Sequence, residues 1–175
     1  MRLERTDIGQ TGMDTLKGIR VLVVDDNAAL RGLLRVSLQA FGCHTVLEAS
    51  CVDQALNHLD STPIDLIITD WKMTPRDGLD LVQTIRRPLM NGYSRVPVIM
   101  LTAYSDTARM REAKDAGVNE FLVKPFTAER LAGALVCVLA ETPEFITTDI
   151  FFGPDRRSVS RAPSSKTSLE IAAHR

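Results

Sequence analysis

The chain has 175 residues, which suits one compact domain with tails better than two domains. It is 45% hydrophobic and 25% charged, which is enough to bury a core and ordinary for a soluble protein. The formal net charge is −1, so no overall basic field indicates DNA or an anionic membrane as the main partner.

The sequence shows neither a targeting segment nor a metal-binding cysteine pattern. Its first 18 residues are mixed polar and charged, and its apolar runs are far shorter than the roughly twenty residues that span a bilayer. The three cysteines, Cys43, Cys51 and Cys137, form no C-x-x-C pair and are predicted to be ordinary buried thiols. We therefore expect a cytoplasmic protein without a membrane segment and without direct DNA binding.

In chain order, residues 1–18 lack strong periodicity and are predicted to form a flexible leader. From Ile19 onward, short β-branched runs alternate with amphipathic stretches, which is typical of a parallel sheet covered by helices. Strands are predicted at 19–24, 44–47, 66–69, 96–101 and 120–123. Several of these runs are apolar without alternation, as expected for strands that are buried on both faces.

Helical periodicity fills the segments between the strands. The first helix is predicted to bury one apolar face and to stop at Gly42; that face comprises Leu30, Leu33, Leu34, Leu38 and Phe41. Further helices are predicted at 52–59, 79–86, about 106–116 with a stop at Gly117, and about 128–140. Five β-α units predict an α/β fold with an open, doubly wound, five-stranded parallel sheet and five helices, and they are too few for a closed eight-stranded barrel.

After Pro143 the composition changes. Residues 153–168 are rich in Ser, Pro and Arg, and positions 156–175 carry five Lys or Arg against one acid. We therefore assign residues 19–140 to the domain and 141–175 to a largely disordered tail. Four apolar residues of the tail could fold back on the domain or form a docking segment, and both interpretations remain open; they are Ile146, Ile150, Phe151 and Phe152.

Chemically active side chains follow four of the five predicted strands. Asp25 and Asp26 follow the first strand, Asp70 the third, Thr102 the fourth and Lys124 the fifth. Ligands of open α/β sheets bind outside the carboxyl ends of the strands, so these groups are predicted to meet in one crevice.

Each of these residues also has a structural alternative. Asp25 or Asp26 could cap the first helix, Thr102 could cap a turn, and Lys124 could be solvated. Their shared edge of the sheet favours a common function instead. Three crowded carboxylates repel one another unless a cation joins them, and an oxygen-only ligand set without His or Cys favours Mg²⁺ over zinc. With such a cation, a carboxylate can attack phosphorus and form an acyl phosphate.

The sequence resembles the receiver domain of two-component response regulators over roughly residues 18–140. The resemblance lies in the motifs VLVVDDN, DWKMTPRDG, Thr102-Ala103 and KPF at 124–126. It implies a flavodoxin-like sheet with strand order 2-1-3-4-5 and a phosphoryl group accepted on Asp70. It also implies Mg²⁺ bound by Asp26, Asp70 and the backbone carbonyl of Lys72, with Asp25 acting mainly through water.

The resemblance further implies how a signal leaves the site. Lys124 would pair with the phosphoryl oxygens, and its peptide bond to Pro125 would be cis. Thr102 would shift toward the phosphate and Phe121 would turn into the vacated space, although simple core packing is the alternative for Phe121. The altered surface would comprise the fourth helix, the fifth strand and the fifth helix.

Some positions depart from the family pattern. The loop after the acceptor usually reads M-P-x-x-D-G, whereas here Pro75 comes one place late. Lys72 and Tyr104 flank the path by which water would reach the phosphate. We therefore hypothesise that these two side chains set the lifetime of the phosphorylated state, which predicts altered dephosphorylation rates in Lys72→Ala and Tyr104→Ala.

By resemblance, the phosphodonor is a histidine kinase or a histidine phosphotransfer protein, and the chain catalyses only its own phosphorylation and dephosphorylation. The residues after the fifth helix are too few for an output domain, so a stand-alone, chemotaxis-regulator-like receiver with an unknown protein target is expected. A phosphorylation-dependent dimer is left open. The alternatives are a phosphate sink, a docking scaffold independent of phosphorylation, and a phosphatase of the haloacid-dehalogenase type.

Overall fold

The computed structural model describes residues 16–87, 93–103, 107–140, 145–147 and 152–154. A five-stranded sheet has the order β2-β1-β3-β4-β5, and each neighbouring pair of strands is parallel. The strands are β1 (Arg20–Val24), β2 (Thr45–Ala49), β3 (Leu66–Asp70), β4 (Val98–Thr102) and β5 (Glu120–Val123). The helices are α1 (Ala28–Ala40), α2 (Val52–Ser61), α3 (Gly78–Ile85), α4 (Thr107–Asp115) and α5 (Ala128–Ala140). The predicted fold and strand order are confirmed.

Helices cover both faces of the sheet. One core lies under α2, α3 and α4, and the other lies under α1 and α5. Alternate residues of β1 point into the two cores, with Leu22 and Val24 in the first and Val21 and Val23 in the second. This two-sided burial explains why the central strands are continuous apolar runs.

The predicted boundaries are close to those of the structure, but one predicted core residue is wrong. Leu33 is 59% exposed, whereas Leu34 and Leu38 of the same helix are buried. At 100° per residue, Leu33 projects well to one side of the stripe formed by Leu30, Leu34 and Leu38. The spacing rule alone therefore placed one leucine too many on the buried face.

Local signals begin and end the helices. The side chain of Asn27 accepts hydrogen bonds from the backbone nitrogens of Ala29 and Leu30 at 3.0 and 3.2 Å, so Asn27 is the N-cap of α1. The alternative that Asp25 or Asp26 caps this helix is therefore wrong. Gly42 and Gly117 have φ of 89° and 107° after α1 and α4, which confirms them as helix stops.

The predicted leader and tail lie mostly outside the described residues. Within the tail, the backbone forms a short antiparallel pair of strands, β6 (Phe145–Thr147) and β7 (Phe152–Pro154). Among the cysteines, Cys43 is buried but Cys137 is exposed on α5, so the prediction of buried thiols is wrong for Cys137. No helix in the described part of the chain has the length and apolar character needed to cross a membrane.

Candidate functional site

The ends of four strands bring the predicted residues to one edge of the sheet. Asp25 directly follows β1, Asp70 and Thr102 end β3 and β4, and Lys124 directly follows β5. The backbone nitrogen of Lys124 donates to the carbonyl of Thr102 at 2.7 Å, which holds β4 and β5 together at the site. Parallel register thus converts four distant sequence positions into one cluster.

Lys124 joins two of the carboxylates. Its Nζ lies 2.9 Å from Oδ1 of Asp70 and 3.2 Å from Oδ2 of Asp25. The Asp25 side chain is 1% exposed, and its other oxygen accepts from the backbone nitrogen of Asn27 at 2.8 Å. The ammonium therefore compensates two carboxylates that burial would otherwise leave in strong mutual repulsion. The alternative that Lys124 is merely solvated is wrong.

Burial raises the pKa of Asp70 above its ordinary value, while the hydrogen bond and the charge of Lys124 oppose that rise. The nearby negative charge of Asp25 contributes in the same direction as burial. An added positive charge near Asp70 would therefore favour the ionised form of its carboxyl group.

Three acidic groups form a compact oxygen cluster. One carboxylate oxygen from each of Asp25, Asp26 and Asp70 lies within 4.8 Å of the others, and Asp26 is exposed to solvent. Short carboxylates around an open position suit Mg²⁺, which retains several waters and takes few protein ligands. The residues present therefore fit a magnesium ion. The Lys72 side chain is exposed in the loop after β3, and a ligand role for its backbone carbonyl stays a prediction.

The backbone of Asp70 is held by contacts that sequence reasoning did not find. The hydroxyl of Thr69 donates to the Asp70 carbonyl at 3.1 Å, and the backbone nitrogen of Gly78 donates to the Trp71 carbonyl at 2.8 Å. A Cβ on Gly78 would overlap the Asp70 carbonyl oxygen. The first residue of α3 must therefore be glycine for the chain to approach Asp70 this closely. The D-G pair in the loop motif was the available signal.

The loop from β3 to α3 is anchored at both ends. A reciprocal capping box starts α3, in which Asp77 and Asp80 exchange hydrogen bonds at 2.9 and 3.3 Å. Arg76 donates to Asp53 of α2 at 3.2 Å and to Thr84 of α3 at 3.0 Å. The Thr74–Pro75 peptide bond is cis, as is Lys124–Pro125, and the second of these agrees with the family resemblance.

The two predicted switch residues lie on neighbouring strands. Thr102 is fully buried at the end of β4, and Phe121 is partly buried on β5. The ring of Phe121 lies beside that of Trp71, the residue that follows the predicted acceptor Asp70. Tyr104, which was paired with Lys72 in the hypothesis on phosphate lifetime, lies outside the described residues.

A groove of about 700 Å³ runs between β5 and α5 next to the site. Its walls include Phe121, Lys124, Phe126, Gly133 and Cys137. Residues of the groove thus extend from the cluster itself to the middle of α5. A change at Phe121 or Lys124 alters the wall of this groove directly.

Comparison with known proteins identifies the family. The family model for the response regulator receiver domain matches residues 21–136, and the chain belongs to this family. It is similar to the chemotaxis protein CheY1 of Helicobacter pylori strain J99, with 38% identity over 122 residues that cover 69% of this chain and 97% of that protein. It is also similar to CheY-3 of Vibrio cholerae, with 36% identity over 115 residues that cover 66% of this chain and 87% of that protein.

Solved structures show the same similarity. The chemotaxis protein CheY4 of Vibrio cholerae superposes with a TM-score of 0.64 at 31% identity, covering 69% of this chain and 98% of that one. The receiver domain of the sensor histidine kinase PA1611 of Pseudomonas aeruginosa gives a TM-score of 0.63 at 26% identity, covering 71% and 99%. That structure has a magnesium ion coordinated in its active-site cleft.

Proposed function

We propose that this chain is a phosphorylation-controlled switch in which Asp70 accepts a phosphoryl group in a Mg²⁺-dependent reaction. The donor is the phosphohistidine of a histidine kinase or a histidine phosphotransfer protein. The observation that carries the proposal is the contact of Lys124 with both Asp70 and Asp25, beside the exposed carboxylate of Asp26. A nucleophile, a compensating cation and an oxygen-rich cluster thus adjoin one another at an open edge of the sheet.

The chemistry follows from these positions. A carboxylate oxygen of Asp70 attacks the phosphorus atom, the P–N bond of phosphohistidine breaks, and the imidazole leaves with the electron pair. Lys124 lies 2.9 Å from Asp70 and can neutralise the charge that spreads over the equatorial phosphoryl oxygens. Mg²⁺ supplies further charge neutralisation when Asp25, Asp26, Asp70 and the Lys72 carbonyl hold it.

The output follows from the strands that carry the site. Thr102 ends β4, one residue after Leu101, which is paired with Asp70 of β3, and the ring of Phe121 lies beside that of Trp71, the residue after the proposed acceptor. We propose that phosphorylation repositions these two side chains and changes the surface formed by α4, β5 and α5. A downstream protein would recognise that surface, which includes the groove between β5 and α5.

Intact-mass measurement tests the proposal. The chain is incubated with acetyl phosphate with and without Mg²⁺, together with Asp70→Asn and the control Asp115→Asn, which removes an exposed carboxylate of α4. We expect one added phosphoryl group in the wild type and the control, dependent on Mg²⁺, and none in Asp70→Asn. A folded wild-type chain that gains no phosphoryl group would contradict the proposal and favour a docking scaffold.

A further inference from the structure

A partly buried arginine of α1 binds the peptide group between the first two acids of the cluster. Nη1 of Arg31 donates to the backbone carbonyl of Asp25 at 2.7 Å. That carbonyl belongs to the Asp25–Asp26 peptide group, so its direction helps to set the direction in which Asp26 leaves β1. The Arg31 side chain is only 16% exposed, although it carries a permanent charge.

Glu48 of β2 anchors Arg31 from the opposite side. Nε of Arg31 lies 3.3 Å from one carboxylate oxygen of Glu48, and Nε of Arg35 lies 3.2 Å from the other. Glu48 therefore fixes the guanidinium of Arg31 against the neighbouring strand. It also offsets the positive charge of Arg31, which would otherwise repel a cation at the acidic cluster.

The two acids differ in how they are held. Asp25 is fixed by its own backbone bond to Ala49 at 3.1 Å and by the contacts of its buried carboxylate with Asn27 and Lys124. Asp26 is exposed, and it follows the carbonyl that Arg31 holds. Arg31 therefore has more influence on the orientation of Asp26 than on the orientation of Asp25.

We propose that Arg31 is a positioning residue that sets the affinity of the acidic cluster for a divalent cation. It acts through the Asp25–Asp26 peptide group and touches neither the cation nor the phosphoryl group. The inference rests on the proposed function insofar as the cluster binds Mg²⁺. Partners that orient metal ligands without binding the metal typically change metal affinity by about 10- to 100-fold when they are removed.

A general electrostatic role and a positioning role of Arg31 predict opposite changes in the dissociation constant for Mg²⁺ when Arg31 is replaced. Loss of a positive charge near the cluster by itself favours cation binding and lowers the dissociation constant for Mg²⁺. Loss of the bond to the Asp25 carbonyl releases Asp26 and raises the dissociation constant. The sign of the change therefore separates a positioning role from a general electrostatic one.

The test is titration of the full chain with Mg²⁺, followed by the fluorescence of Trp71 and by calorimetry. Arg31→Met keeps the apolar stem and removes the guanidinium, and we expect it to raise the dissociation constant about tenfold. Arg35→Met is the matched control, because Arg35 carries the same charge and pairs with the same Glu48, whereas the bond to the Asp25 carbonyl is made by Arg31. We expect that control to stay within about twofold of wild type.

A second variant and a second readout separate this role from plain loss of structure. Arg31→Lys keeps the charge but loses the forked donor, so its dissociation constant should lie between those of wild type and Arg31→Met. At saturating Mg²⁺, the phosphorylation rate of Arg31→Met should return to within about threefold of wild type, since only cation affinity is affected.

Two results would overturn the inference, and they are distinguishable. If the wild type responds to Mg²⁺ and folded Arg31→Met binds it as well as Arg35→Met does, Arg31 does not position the cluster. If the wild type shows no saturable response at tens of millimolar Mg²⁺, the magnesium site of the proposed function fails together with the inference.

Discussion

The rings of Trp71 and Phe121 lie side by side, with centroids 6.3 Å apart and planes inclined at 31°. Trp71 directly follows the proposed acceptor Asp70, and Phe121 lies on β5 three residues before Lys124. Both rings pack against the core beneath α2, α3 and α4. One aromatic contact therefore links the acceptor loop to the strand that borders the groove.

This contact predicts that Trp71 fluorescence reports the switch. Phosphorylation of the wild type should change the emission of Trp71, which is the only tryptophan in the chain. Phe121→Leu should reduce that change by at least about half, because the ring beside the indole is gone. The control Phe126→Leu alters a ring that packs in the other core, and it should keep the full change. An undiminished signal in Phe121→Leu, with one phosphoryl group added, would contradict a role for Phe121 in switching.

The position of Lys124 predicts that its replacement slows phosphorylation without weakening the binding of Mg²⁺. Lys124→Met removes the ammonium that faces Asp25 and Asp70, so the rate of phosphorylation by acetyl phosphate should fall about 100-fold. Mg²⁺ affinity should not weaken, because the carboxylates then carry more uncompensated negative charge. The control is Lys114→Met on an exposed part of α4, which should change neither quantity. Weaker Mg²⁺ binding in Lys124→Met would show that the lysine organises the cluster rather than neutralising charge.

The sequence patterns predicted the fold well because its strands are buried on both faces. Runs such as Val21 to Val24 and Leu66 to Thr69 have no alternation and are fully buried, as expected for strands of a covered parallel sheet that alternate with helical segments. The error at Leu33 arises because the 3- and 4-residue spacing rule admits side chains at the margin of a helix face. Whether such a side chain is covered depends on the neighbouring element, which periodicity does not describe.

The candidate site was predictable to the extent that it is built from strand ends. Asp25 and Lys124 each directly follow a strand and Asp70 ends one, and parallel pairing places such residues together. The supporting contacts were not predictable in the same way. Arg31 binds the backbone carbonyl of Asp25, and Gly78 packs on the backbone carbonyl of Asp70. Every residue has such a carbonyl, so the residue type of Asp25 or Asp70 carries no signal for these contacts, although the D-G pair pointed to Gly78 itself.

The close approach at Gly78 predicts that alanine substitutions at Gly78 and Gly133 change the free energy of unfolding in opposite directions. Gly78→Ala should lower the free energy of unfolding by about 1–3 kcal/mol, because the added methyl group overlaps the Asp70 carbonyl oxygen. It should also slow phosphorylation by displacing the acceptor. Gly133→Ala in α5 has open space around the new Cβ, so it should raise the free energy of unfolding by about 0.5–1 kcal/mol. Urea unfolding measures both changes, and equal effects of the two substitutions would contradict the close approach at Gly78.

Asp65 predicts a pH dependence of stability that is unrelated to the site. The hydrogen bond from the Arg20 guanidinium lowers the pKa of Asp65 below its ordinary value. The resulting stabilisation is present above the unfolded-state pKa of about 3.9 and is lost as the pH falls through the lower folded-state pKa. Wild type should therefore exceed Asp65→Asn in free energy of unfolding at pH 7, and the difference should shrink below about pH 4.

The partner of Asp65 provides the control for this pH dependence. In an Arg20→Met background, the added Asp65→Asn substitution should cost less at pH 7, and its effect should change less with pH. The side chains of both residues are about one-third exposed, so the expected effect is small and weakened by salt. An undiminished pH dependence in the Arg20→Met background would show that the Arg20 guanidinium is not its source.

The contacts of Arg86 predict that its replacement lowers the free energy of unfolding strongly but leaves the phosphorylation rate of the folded chain unchanged. Its side chain is 5% exposed and donates to the carbonyls of Ser94, Val96 and Gly117 at 2.7, 2.9 and 3.0 Å. Arg86→Leu removes these donors and should lower the free energy of unfolding by about 3 kcal/mol. The control Arg87→Leu changes the exposed neighbour and should cost less than about 0.5 kcal/mol. If the folded fraction of Arg86→Leu phosphorylated much more slowly than wild type, Arg86 would have a role beyond stability.

The pairing of Lys124 with Asp25 spans 99 residues of chain. At a synthesis rate of about 5–20 residues per second, the two ends of this contact leave the ribosome about 5 to 20 s apart. The proposed acceptor Asp70 is made during that interval, before the ammonium of Lys124 that faces it. A nascent chain therefore carries the proposed nucleophile before the lysine that faces it has been made.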